Sequence, residues 1–203
     1  MSPITMMTMK ISAKKRHAAG FSMIELMTVI AIMVILAGLL IAALPGIQSK
    51  INRGRVERMM AEFADGLSKY QLDHGIYPQN PPNGGDRDTV GIEGASVLYK
   101  HLSGDWNEDG EVDFDTDEKV YVPKLSFKEN QESKDPRVGV SGGGKFVVLD
   151  AYGNEFRYLA QPPNIDPEER ETFNPTYDLW SIVDADPTAE EDQARHITNW
   201  QSN

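Results

Sequence analysis

The chain has 203 residues and a formal net charge of −11, with 31 acidic side chains against 20 Lys and Arg. Such acidity argues against nucleic-acid binding, which needs a basic stripe on one face. Cysteine is absent, so no disulfide braces the fold even in an oxidising compartment. The length is enough for one globular domain in addition to a membrane segment.

The N-terminal part of the chain combines a basic segment with a long apolar run. The basic segment contains four cations, Lys10, Lys14, Lys15 and Arg16. The run extends from Leu26 to Leu44 and is interrupted only by Thr28 and Gly38, which is long enough for a helix that crosses a bilayer. The next cation is Lys50, so we expect a cytoplasmic N-terminus and an exported remainder.

Glu25 stands at the start of the apolar run, where an unpaired carboxylate is costly and a functional role is the default expectation. The run is too long for the core of a secretory signal, and Ile41-Ala42-Ala43 is a poor cleavage site after it. Cleavage before the run would leave the whole span in the mature protein. An uncleaved signal anchor explains the topology equally, but it gives Glu25 no role.

The window Gly20-Phe21-Ser22-Met23-Ile24-Glu25-Leu26, followed by Thr28-Val29-Ile30-Ala31-Ile32, resembles the class III leader of type IV pilins and pseudopilins. The resemblance implies that a prepilin peptidase cuts between Gly20 and Phe21 and methylates the new N-terminal Phe21. It also implies that Glu25 is the glutamate of the family's mature helix. Loss of residues 1–20, with four cations and no acids, would change the net charge from −11 to −15.

Glu25 has a natural partner in the amine that cleavage would create at Phe21. Residues four apart share a helix face, and in a bundle the amine of one subunit can meet Glu25 of its neighbour. Each charge would neutralise the other in a low dielectric, whereas an unpaired charge would be penalised. The resemblance implies the same role for Glu25, in recruitment and register within a helical filament.

Residues 45–75 are predicted to form an amphipathic helix that leads into a globular domain at residues 76–203. Pro45-Gly46 permits a kink, local melting or a helix stop after the span at residues 21–44. Six apolar residues then recur at helical spacing: Ile47, Ile51, Met59, Phe63, Leu67 and Tyr70. We interpret this stripe as core packing against a small sheet, although its N-terminal half also suits contact with neighbouring subunits.

The phrase from Tyr70 to Pro78 resembles the major pseudopilin of type II secretion in particular, as do three segments near the C-terminus. These segments are Asp150–Tyr158, Asp178–Ser181 and His196–Trp200. The absence of cysteine counts against many pilins, which by resemblance often carry a C-terminal disulfide loop. The predicted fold is α+β, with one long N-terminal helix packed on a small antiparallel sheet.

The central region has weaker signals of its own. Asn80–Asp88 is predicted as a surface loop, Glu93–Leu102 as a short helix and Glu129–Gly144 as a mobile loop. Four segments are predicted as strands: Val120–Val122, Lys145–Leu149, Phe156–Leu159 and Tyr177–Val183. The turn Tyr152-Gly153-Asn154 is predicted to precede the third of these strands.

An acidic segment from Asp105 to Asp113 matches most of a calcium-binding EF-hand loop. Oxygen ligands occupy alternate positions, and Gly110 stands where the loop needs a sharp bend. Thr116 replaces the final bidentate carboxylate, so Asp117 is our substitute. The predicted calcium ligands are Asp105, Asn107, Asp109, Glu111, Asp113 and Asp117. The other interpretation is a solvated acidic turn that binds nothing specifically.

A second acidic loop lies where the resembling pseudopilins hold a structural calcium ion. Its candidate ligands are Asp184, Asp186 and Asp192, but it lacks the family's glycines and equally suits a solvated loop.

No catalytic motif stands out. Gly139–Lys145 fits most of a phosphate-binding loop, but Phe146 replaces the Ser or Thr that would reach magnesium, and a strand pattern follows. The four histidines show no ligand spacing, and no nucleophile triad is recognisable.

These observations predict a structural subunit of a type II secretion pseudopilus, not an enzyme. It would be a single-pass protein of the bacterial inner membrane with its C-terminal domain in the periplasm. Its expected partners are further copies of itself, prepilin peptidase, other pseudopilins and inner-membrane secretion components, with no nucleic acid. Two other classes stay open: a type IV pilin-like surface fibre subunit, and a membrane-tethered calcium-binding module that does not polymerise.

Overall fold

A computed structural model describes residues 21–81, 87–112, 119–131, 136–166, 168, 170–183 and 195–200. The chain divides into two compact units, Met1–Pro45 and Gly46–Asn203. The described fold is α+β, as predicted, with a long N-terminal helix and two small antiparallel sheets.

Helix α1 runs from Met23 to His74, a length of 52 residues. It continues through Pro45-Gly46. The helix stop, which was one of the outcomes predicted for this proline, therefore does not occur. Its predicted C-terminal end is confirmed at Gly75, where φ is +81° and the amide donates to the carbonyl of Gln71 at 2.8 Å. Glycine suits this left-handed position because it has no Cβ to clash.

The apolar stripe of α1 in the second unit is only partly buried. Its buried members are Val56, Met59, Met60, Phe63, Leu67 and Tyr70. Ile47 and Ile51, which were predicted to belong to the same stripe, are 54 % and 45 % exposed because they lie on the opposite side of the helix. The core prediction therefore holds from the middle of the stripe onward and is wrong for its first two turns.

Helix α2, Arg87–Ser103, is longer than the predicted Glu93–Leu102 and packs against the strand Arg157–Ala160. Two glycines permit this close approach. A Cβ on Gly94 would lie 2.0 Å from the backbone oxygen of Tyr158, and one on Gly91 would lie 2.5 Å from the ring of Trp180. Helix and strand thus meet almost backbone to backbone.

Among the described residues, five short strands form the two sheets. Strands β1, Val138–Val140, and β2, Phe146–Val148, form one antiparallel pair. Strands β3, Arg157–Ala160, β4, Tyr177–Ser181, and β5, Ile197–Thr198, form the other sheet in the order β3-β4-β5. An isolated bridge between Leu149 and Glu155 closes the predicted turn at Gly153, where φ is +85°.

Two predictions for the central region are wrong. Residues Val120–Val122 do not form a strand, because the amides of Tyr121 and Val122 both donate to the carbonyl of Leu102 (3.1 and 2.8 Å) at the end of α2. A short 3₁₀ helix, Pro123–Leu125, follows directly. The predicted loop Glu129–Gly144 instead includes β1 and the end of helix α3, Phe127–Gln131.

The main core of the second unit forms between α1, α2 and the strands. Phe63 of α1 and Phe156 meet edge to face, with ring centroids 5.2 Å apart, and both are fully buried. A smaller buried cluster of Val90, Leu159, Trp180 and Ile182 lies beside Trp200. The helix is therefore fixed to the sheets by apolar contacts from Val56 onward.

Candidate functional site

The start of α1 contains the residues that the sequence singled out for processing and assembly. Phe21 precedes the helix and is 79 % exposed, whereas Glu25 lies in the first turn. The amide of Ser22 donates to a carboxylate oxygen of Glu25 at 3.4 Å, and the amide of Glu25 donates to the Ser22 hydroxyl at 3.3 Å. This reciprocal pair is a capping box, in which the Ser22 amide gains a partner and the Glu25 amide is shared between the hydroxyl and the carbonyl of Ser22 (3.1 Å to the carbonyl).

The capping box gives Glu25 a role within its own chain. A carboxylate at a helix N-terminus also interacts favourably with the positive end of the helix dipole. Sequence reasoning missed this role, although Ser22-x-x-Glu25 before an apolar run is its recognised signature. Gly20 lies outside the described residues, so the geometry of the cleavage site is not described.

The side chains of the apolar part of α1 are exposed. Every described Leu, Ile, Val and Met side chain from Met23 to Ile41 is at least 45 % exposed. Thr28, the hydroxyl within the run, donates to the carbonyl of Ile24 at 2.6 Å, so its polar group is satisfied within the helix. The described residues contain one helix that is long and apolar enough to cross a membrane.

The predicted calcium loop brings three of its candidate ligands together. The carboxylate of Asp105 accepts the amide of Asp109 at 3.1 Å and that of Gly110 at 2.9 Å. Asn107 accepts the Asp109 amide at 3.1 Å, and Asp109 accepts the Glu111 amide at 2.8 Å. Gly110 has a φ of +89°, so the bend expected at this glycine is present.

Asp105 is also tied to the core, because it is only 1 % exposed and accepts the Tyr99 hydroxyl at 2.5 Å. Burial, together with the hydrogen bond to Asp105, raises the pKa of the Tyr99 phenol. The carboxylate of Glu111 forms an ion pair with Lys128. Within the described part of the chain, no group of three or more His, Cys, Asp or Glu side chains is arranged to hold a metal ion.

Five further candidate ligands lie outside the described residues, namely Asp113, Asp117, Asp184, Asp186 and Asp192. The calcium prediction therefore stays a prediction at both loops.

Comparison with known proteins connects the start of α1 to a described family. The family described as the prokaryotic N-terminal methylation motif matches residues 15–41. A type II secretion system core protein G from Pseudomonas aeruginosa is 24 % identical over 197 residues, which cover 93 % of this chain and 99 % of the relative. The predicted resemblance to type IV pilins and pseudopilins is confirmed.

Two other relatives of this pilin-like chain match over shorter segments. A type IV major pilin protein of Neisseria gonorrhoeae is 40 % identical over 82 residues, 38 % of this chain and 36 % of the relative. A type II secretion system core protein G of Klebsiella michiganensis is 35 % identical over 65 residues, 32 % of this chain and 46 % of the relative. The chain thus spans less than half the length of these two relatives. No solved structure matches it.

Proposed function

We propose that this chain is a structural subunit of a type II secretion pseudopilus, polymerised through its N-terminal helix to support protein export. The observation that carries the proposal is the start of α1, where the methylation motif, an exposed apolar helix and the first-turn Glu25 coincide. Similarity to a type II secretion core protein G along nearly the whole chain supports the secretion assignment. The proposed role is structural, not enzymatic.

In this proposal, prepilin peptidase cuts after Gly20 and methylates Phe21, and residues 21–44 anchor the subunit in the inner membrane. The C-terminal domain then lies in the periplasm. The new amine of one subunit pairs with Glu25 of its neighbour, which brings two opposite charges together in a low dielectric. Other pseudopilins and inner-membrane secretion components are the further partners.

The capping box offers Glu25 an interim partner before assembly. In an isolated subunit the carboxylate accepts the Ser22 amide of its own chain, which reduces the cost of placing it at the membrane. A charged amine from a neighbour is a stronger partner than a neutral amide. Assembly would therefore replace a weak contact of Glu25 by a stronger one.

A type IV pilin-like surface fibre is the second candidate function. The match to a gonococcal major pilin supports it, since the two chains are 40 % identical over 82 residues. A membrane-tethered calcium-binding module that does not polymerise is the third candidate, and it rests on the loop at Asp105. Calcium bound at that loop would play a structural role in any of the three.

Substitution of Glu25 tests the polymerisation proposal, because glutamine separates its two roles. Glu25→Gln keeps an oxygen that accepts the Ser22 amide but removes the charge, whereas Glu25→Ala removes both. We expect both variants to lose most filaments and Ser22→Ala to keep them. The measurement is the yield of sheared filaments from cells that also express prepilin peptidase.

Wild-type filament yield from Glu25→Gln would show that helix capping, not charge pairing, is what Glu25 provides. An absence of filaments from the wild-type chain itself would contradict polymerisation and favour the tethered module.

A further inference from the structure

In the second unit, one side of α1 points away from the buried core and packs against no other described part of this unit. We call it the basic face and define it by Ile47, Lys50, Ile51, Gly54 and Arg58. These positions follow the three- and four-residue spacing that places side chains on one side of a helix. The buried members of the helix, from Val56 to Tyr70, occupy the opposite side.

The basic face has no partner within the described part of the chain. Lys50 and Arg58 are exposed and take part in none of the ion pairs between described residues, whereas nearby Arg53 pairs with Glu57 at 3.3 Å. The two isoleucines are about half exposed, at 54 % and 45 %. A Cβ on Gly54 would meet nothing closer than the Arg58 guanidinium at 3.9 Å, so the backbone there is open to close approach.

The segment that carries this face has a charge opposite to that of the rest of the domain. Residues 46–58 contain four Lys and Arg and one acid, a net charge of +3. Residues 59–203 contain 12 Lys and Arg and 29 acids, a net charge of −17. A second copy of the chain therefore presents a strongly acidic surface to any basic face that it meets.

We propose that the basic face is an interface for a second copy of this chain, whose acidic domain packs on Lys50 and Arg58 and covers Ile47 and Ile51. The proposal rests on the polymerisation proposed above and adds a second contact to it. Apolar contact would stabilise the pair, and the opposite charges would fix the orientation and speed the encounter. The acidic residues of a second copy supply the complementary charge, and the vesicle comparison below separates this partner from acidic headgroups.

Double charge reversal provides the test. Lys50→Glu with Arg58→Glu makes the face acidic, and Lys124→Glu with Lys145→Glu makes the same change of charge at two exposed positions elsewhere in the domain. A neutral variant, Lys50→Gln with Arg58→Gln, removes attraction without adding repulsion. Each processed full chain is reconstituted into phosphatidylcholine vesicles, with and without phosphatidylglycerol, and the fraction in filaments is measured by pelleting and electron microscopy.

We expect reversal at the basic face to lower the assembled fraction about tenfold in both kinds of vesicle, with the neutral variant intermediate and the control pair within about twofold of wild type. Raising salt from about 0.1 M to about 1 M should also weaken wild-type assembly, because the Debye length falls from about 10 Å to about 3 Å. Thermal unfolding should be unchanged in all variants, since the substituted side chains are exposed.

Three results would overturn this inference while leaving polymerisation intact. Wild-type assembly by the reversed variant would exclude the interface. A loss confined to vesicles with phosphatidylglycerol would assign the face to acidic headgroups. An equal loss of assembled fraction in the control pair would show that assembly responds to the net charge of the chain and not to the basic face. Failure of polymerisation itself differs from all three, because wild type would then form no filaments.

Discussion

The proposed assembly contact and the predicted calcium site both depend on single carboxylates, Glu25 and Asp105. Each of these carboxylates already accepts hydrogen bonds from its own chain. Glu25 caps the N-terminus of α1. The carboxylate of Asp105 accepts hydrogen bonds from two backbone amides and from the Tyr99 hydroxyl. Sequence spacing identified both residues but not these contacts. The capping box was readable from Ser22 and Glu25, whereas the Tyr99 contact depends on how α2 packs and has no sequence signature.

Calcium binding at the Asp105 loop is testable at the level of single residues. Asp109→Asn keeps an acceptor for the Glu111 amide but removes one charge from the predicted ligand set. We expect calcium to raise the Tm of the wild-type chain in detergent and Asp109→Asn to lose most of that rise. A ligand at about 100 times its Kd stabilises the folded state by about 2.7 kcal/mol, which a Tm measurement resolves.

Glu108→Gln is the matched control, because Glu108 lies in the same loop but pairs with Lys100 and stands at no ligand position. This variant should respond to calcium as wild type does. A wild-type Tm that calcium leaves unchanged would exclude the site, and an equal response in Asp109→Asn would place any bound calcium elsewhere.

At the scale of elements, periodicity predicted the helices better than their surroundings. The spacing of Met59, Phe63, Leu67 and Tyr70 gave the buried side of α1 correctly, because burial along one helix follows its own period. Ile47 and Ile51, which we assigned to the same stripe, lie on the other side of the helix, where the domain provides nothing to cover them. Val120–Val122 has the composition of a strand. Its conformation is instead set by hydrogen bonds from the amides of Tyr121 and Val122 to the Leu102 carbonyl at the end of α2.

The packing of α2 on β3 yields a stability prediction. Gly94→Ala would place a methyl group 2.0 Å from the backbone oxygen of Tyr158, and neither backbone can rotate away. We expect a loss of about 3 kcal/mol in the free energy of unfolding, measured by denaturant titration in detergent. The matched control is Gly54→Ala, also within a helix, where the nearest atom is 3.9 Å away.

Gly54→Ala should instead hold or gain about 0.5–1 kcal/mol, since alanine favours the helix. Equal stability of the two variants would contradict the close contact between α2 and β3.

For the whole molecule, the sequence alone predicts the N-terminal helix better than the arrangement of the strands. The apolar helix and Glu25 were readable because each follows a short local pattern, which the methylation-motif match supports. The division of the sheet into β1-β2 and β3-β4-β5 was not readable, because pairing between distant short strands depends on tertiary packing. The charge contrast between residues 46–58 and 59–203 was present in the sequence, but its meaning depended on which side chains the fold exposes.

Mass spectrometry of the N-terminus, on the chain isolated from bacteria that express prepilin peptidase, decides whether it is processed as a pilin-like subunit. We expect a mature chain that begins at Phe21 with one methyl group on its amine. A chain that retains residues 1–20, or begins at any other residue, would contradict this expectation.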